Sequence, residues 1–224
     1  MITPLQQLRL LQLSSASLPV GGFTYSQGLE WAVEAEWVTS AAQFRQWQQL
    51  QIEQVLIRQD LPLLLRLYNA CAAQDAERFA DWSRFLLACR ETAELRTEER
   101  QRGAAMARVL AGLQLSPPPA WQGALGLSQS GGLAWAGYCW QIPADALLLS
   151  LGYSALESAV MAGVKLVPFG QQAAQSLLAD LSEVLAQQLP LALALSDDEL
   201  GGSLPLVAIA SSRHENQHTR LFRS

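Results

Sequence analysis

Apolar residues recur at spacings of three and four along almost the whole chain, and alternating stretches are scarce, so the pattern predicts helices throughout. Leu5, Leu8 and Leu11 outline a first helix, with Thr3 as its N-cap and Pro4 at the first helical position. Ser17 to Gly22 breaks it, and a second helix is expected from about Tyr25 to Trp37. Thr39 or Ser40 caps a third, whose Phe44, Trp47, Gln51 and Val55 share one face. Asp60 is read as the cap of a fourth helix, with Pro62 tolerated in its first turn and an end near Ala73. Asp75 opens a fifth, carrying Phe79, Trp82 and Leu86, and a charged helix follows from about Thr92 to Leu113.

Pro117 to Pro119 is the clearest internal break. After Leu133, Trp135 and Tyr138, a helix opened by Pro143 turns Leu147, Leu151 and Leu156 inward, until Gly163 to Phe169 interrupts the series. Beyond Gly170, Ala173, Leu177, Leu181, Val184 and Leu185 form the most regular stripe in the chain. A last helix spans about Ser203 to Ser212. The expected fold is all-α: a single-domain helical bundle of roughly eight to ten helices over residues 1–210. Residues 211–224 are expected to be a C-terminal partner-docking tail, disordered when unbound.

Composition narrows the function. Half of the 224 residues are hydrophobic, 16% are charged and seven are tryptophan, which suits a protein whose faces are buried against partners. A net charge of −5 and the lack of a basic stripe speak against nucleic acid. Val109 to Ala144 carries no charge, but prolines and glycines divide it, so buried helices and turns account for it better than a membrane span. Cys71, Cys89 and Cys139 form no C-x-x-C pair and read as small buried residues in a reducing compartment.

Motifs of catalysis are few. His214-Glu215-Asn216-Gln217-His218 matches H-E-x-x-H, in which two imidazoles one helical turn apart hold a zinc ion and the glutamate acts as base. Only six residues follow, none of them His, Asp or Glu, and a terminal segment is a poor wall for a dry catalytic cavity. His214 and His218 stand as minor metal candidates, and a metal-binding protein or metallohydrolase built on them is the alternative function. Gly21 to Gly28 is glycine-rich before a helix; it could hold an anion on backbone N–H groups, but a packing turn is the favoured reading. The run Arg90 to Arg108 is either a solvated face or a partner-docking face. The tail, with Arg213, Arg220, Leu221, Phe222 and Arg223, reads equally as disordered chain or as a docking peptide.

Four stretches carry a resemblance. Leu10 to Glu30 resembles the signature of the urease accessory protein F family, Glu94 to Gly103 its charged central helix, Leu166 to Gln171 its second loop motif, and Arg213 to Ser224 its C-terminal tail. The resemblance implies an all-α, cytoplasmic protein without enzymatic activity, commonly a homodimer. It would bridge the D/H-type accessory protein and the G-type GTPase, so that nickel reaches apo-urease, and it could modulate GTP hydrolysis. No tightly bound cofactor is implied, since the assembled complex handles the nickel; neither is contact with nucleic acid or membrane. By the same resemblance, Tyr25, Gln27, Glu30 and the tail residues Arg213, Arg220, Leu221, Phe222 and Arg223 are candidates for docking the D-type partner. Lys165 is a candidate for the GTPase, or simply an exposed helix-end lysine. His218 departs from the aromatic residue usual there.

Overall fold

In a computed structural model describing residues 2–224, every regular element is a helix. The order is α1 Pro4–Ser14, α2 Leu29–Glu34, α3 Ala41–Gln51, α4 Leu61–Ala72, α5 Ala76–Ala88, α6 Ala93–Gly112, α7 Pro119–Leu125, α8 Gln129–Cys139, α9 Ala144–Leu166, α10 Gln171–Ala194 and α11 Pro205–His214. A π-helical segment, Ile52–Asp60, joins α3 to α4 without a break, so the three pieces form one rod. With that rod counted once, the described residues make ten helices.

Several helix starts obey local chemistry. Thr3 and Gln6 close a reciprocal capping box on α1, and Ser40, Asp75, Thr92 and Ser128 each accept an N–H from the first turn that they precede. Three elements depart from the expected plan. The second helix is only six residues long, because Gly28 at its start is left-handed (φ 82°) and the chain before it is a turn. Asp60 caps nothing; its backbone is helical (φ −68°, ψ −47°) in the middle of the rod. Pro62 therefore lies in a helix interior, where its missing N–H leaves the Arg58 carbonyl without a helical donor, and the Gly201 N–H takes that carbonyl at 3.1 Å. Nor does Gly163 end α9, which runs on to Leu166.

The uncharged stretch after the triple proline becomes α7 and α8. Gln129 to Gly137 of α8 are buried without interruption, and α4, α6 and α9 pack around the helix. Small residues make this possible: a Cβ on Gly132 would stand 2.3 Å from Met106 Cγ on α6. α9 and α10 are each long and apolar enough to cross a membrane by length and composition. Here they pack on one another, burying Leu147, Leu148, Leu156 and Val160 of α9 and Leu181 and Leu185 of α10 in the shared core. The stripe on α1 faces out, with Leu5, Leu8 and Leu11 exposed while Leu13 is buried.

Gly28 combines a positive φ with a Cβ position 2.7 Å from the Ser211 backbone nitrogen on α11. A Gly28→Ala variant is expected to lose about 1–3 kcal/mol, read as a lower midpoint in urea unfolding.

Candidate docking site

The charged helix α6 is buried along part of its circumference. Glu98 is 3% exposed and Glu99 is 9% exposed. Adjacent helical residues point about 100° apart, so the pair cannot serve one partner, and each carboxylate has its own set. Glu99 bonds Arg90 (2.8 Å) and accepts the Gln129 N–H at the start of α8 (3.2 Å). Arg90 also reaches Asp60 in the rod at 2.9 Å, which is what Asp60 does in place of capping. Burial pushes the Asp60 carboxyl up while Arg90 pulls it back down; burial alone would lower Arg90, but Asp60 and Glu99 raise it above its ordinary value. These charges edge a cavity of about 110 Å³, roomy enough for several waters and lined also by Gln48, Gln59 and Gln129.

Glu98 lines the same cavity with a different set of partners. It accepts from Arg102 (3.0 Å), from Gln27 Nε2 (3.1 Å) and from Ser224 Oγ (2.9 Å), which joins α6 to the first motif and to the tail. The tail is laid across α2 and α6 in an ordered course. α11 continues through the expected boundary at residues 210 and 211, and Ser211 Oγ lies 2.8 Å from Thr92 Oγ1. His214, fully buried, ends the helix between two carboxylates: Nδ1 is 2.8 Å from Glu94 Oε2 and Nε2 is 3.2 Å from Glu30 Oε2. Gln217 bonds Glu34, and Arg220 donates to Glu94 at 2.8 Å. Glu30 then accepts two successive backbone N–H groups, from Leu221 (2.6 Å) and Phe222 (2.8 Å).

The Phe222 ring is buried beneath the Lys165 ammonium, 5.3 Å from its centroid. The Arg223 N–H reaches the Thr24 carbonyl. An oxygen of Ser224 accepts from the Ser26 N–H (2.6 Å), Ser26 Oγ (2.6 Å) and the Gln27 N–H (3.1 Å). The glycine-rich turn is thus a packing turn, and its N–H groups also hold an oxygen, one supplied by this chain.

Four separate parts of the sequence meet here. Tyr25 is buried and donates to Gln101 at 2.7 Å; Gln27 and Glu30 spend their polar atoms within the chain; Lys165 covers Phe222. Arg213, Arg220, Leu221 and Arg223 are exposed, Leu221 to 63%. Glu94 and Ser26 belong to the same site, though helical spacing and turn composition marked only their segments. The segment expected to be disordered is anchored, because Glu30 and Glu98 would otherwise be buried charges with too few donors.

The two histidines are not brought together. α11 stops at His214, so His218 is not one turn further along the same face; it is exposed, whereas both nitrogens of His214 are engaged by glutamates. The alternative metal-binding or metallohydrolase reading loses its geometry, and among the described residues no group of three or more His, Cys, Asp or Glu side chains is placed to hold a metal ion. The cysteines also differ among themselves. Cys71 is buried and its thiol pushed up to about 12 by desolvation, while Cys139 is exposed.

Fold and site together define an all-helical protein that uses its buried polar groups to hold one segment of chain against another. The UreF family model matches residues 38–182, leaving the first motif and the tail outside its span. Full-length similarity covers both. The chain is 65% identical over 224 residues, all of each chain, to urease accessory protein UreF of Pseudomonas entomophila strain L48. It is 63% identical over the same span to that of Pseudomonas putida strain W619, and 55% to that of Klebsiella pneumoniae strain 342. The chain belongs to the UreF family of urease accessory proteins.

Replacing Arg90 by methionine leaves Asp60 and Glu99 buried without their shared cation. We expect a loss of about 3–5 kcal/mol in urea unfolding. A loss below about 1 kcal/mol would show that Arg90 does not hold the two carboxylates.

Proposed function

We propose that this protein is a non-catalytic adaptor in urease maturation, working in the cytoplasm as a homodimer. It joins the D/H-type accessory protein to the G-type GTPase so that the assembled complex can pass nickel to apo-urease, with an influence on GTP hydrolysis. The observation that carries this reading is the full-length likeness to proteins named as urease accessory proteins.

The geometry supports a division of labour among the site residues. Leu221, exposed with Arg220 and Arg223 close by in sequence, is the part of the tail that meets the D-type partner, whereas Tyr25 and Glu30, both buried, and half-buried Gln27 position it. Lys165 lies on the same face and is exposed beside the second loop motif, where it can serve a second partner. The apolar stripe Leu5, Leu8 and Leu11 adds surface of the kind that interaction proteins cover.

A Leu221→Asp variant tests the docking role without disturbing the core. Co-purification with the D-type protein is expected to fall at least about tenfold, a loss of about 1.4 kcal/mol, with the urea midpoint unchanged. Undiminished co-purification would remove the tail from the interface.

A further inference from the structure

We propose that Glu30 is a positioning residue that clasps the tail in its docking-ready form, and that His214, as an imidazolium between Glu30 and Glu94, closes the clasp. The proposal rests on the docking role given to the tail above and names how that role is controlled.

Glu30 is buried, and its carboxylate takes donors from the C-terminal segment: the Leu221 N–H, the Phe222 N–H and His214 Nε2. Two adjacent N–H groups on one carboxylate fix the backbone at 221 and 222. That fixes which side chain points in, Phe222, and which points out, Leu221. A docking segment already ordered in this way does not have to lose its freedom when a partner arrives.

The imidazole sets the condition for closure. An ionised carboxylate only accepts hydrogen bonds, so with one against each ring nitrogen both contacts are made only when both nitrogens carry hydrogen. In that form the charges balance: Glu30 and Glu94 against His214 and Arg220. The other ionisable groups nearby are Glu215, whose side chain accepts the Glu94 N–H, Glu34, which is held by Gln217, and Arg223, which shares a surface hollow with Glu94 and Glu215. The two acids favour the cationic ring and the arginine opposes it, while the groups in direct contact with the ring are both carboxylates. Loss of one ring hydrogen would set a nitrogen lone pair against a buried carboxylate, and the clasp should open.

Hydrogen exchange on the full chain, without partner, reads the clasp directly. Protection of the Leu221 and Phe222 amides is expected to fall at least about tenfold in Glu30→Gln while α8 stays protected. A His214→Gln variant, whose single amide cannot span both carboxylates, should lose the same protection. Protection across α8 in the same experiment tells a clasp that has opened from a variant that has not folded. Protection at 221 and 222 that survives both Glu30→Gln and His214→Gln would overturn the proposal. Capture of the D-type protein is then measured on Glu30→Gln. Lost protection with capture intact would overturn the docking role of the tail and leave the clasp standing.

Discussion

Carboxylates held out of water organise this molecule. Glu30, Glu98 and Glu99 are buried, Glu94 and Asp60 nearly so, and each would be costly without donors. Their donors come from distant parts of the chain: Arg90 from the turn before α6, Gln129 from the start of α8, Gln27 from the first motif, and His214, Arg220, Leu221 and Phe222 from the end. The need to satisfy these few acids ties the first thirty residues and the last eleven to the first two turns of α6.

That requirement is compatible with the fold because the apolar core is built elsewhere. α8 is sheathed by α4, α6 and α9, and its small residues let those helices approach closely. The continuous α3–π–α4 rod crosses both regions. Its apolar residues enter the core, while Asp60 and Gln59 face the polar cavity. The π-segment and Pro62 leave irregular carbonyls on the rod, and the loop after α10 fills one of them through Gly201. The Arg58 carbonyl that Pro62 cannot serve is satisfied by a hydrogen bond from more than a hundred residues away.

Most buried polar atoms of the docking site are paired within the chain, Arg102 Nε and Gln217 Oε1 excepted, and what the site turns outward is a short segment with an exposed leucine and arginines around it. A surface of this kind presents shape and charge to another protein. The accessory-protein membership of the chain accords with it.

Much of the fold was legible in the sequence because it depends on local physics. Caps at Thr3, Ser40, Asp75 and Thr92 act on N–H groups two or three residues away, and the stripe of α10 records a single buried face. The resemblance in four stretches likewise pointed to the family and to the tail. Asp60 could not be read correctly, since a cap and a buried ion pair look alike until Arg90 is placed beside it. Glu98 and Glu99 lay in a run that spacing left open between a solvated and a partner-docking face, and the H-E-x-x-H pattern offered a minor metal candidate because its spacing presumes a helix that in fact ends at its first histidine. By itself the sequence determined the helical class, most of the helix starts and the family, all of which are properties of neighbouring residues or of the chain as text. Only the tertiary structure decided which charges are buried and what the tail rests on, because the cost of burying a charge depends on donors that lie far away along the chain.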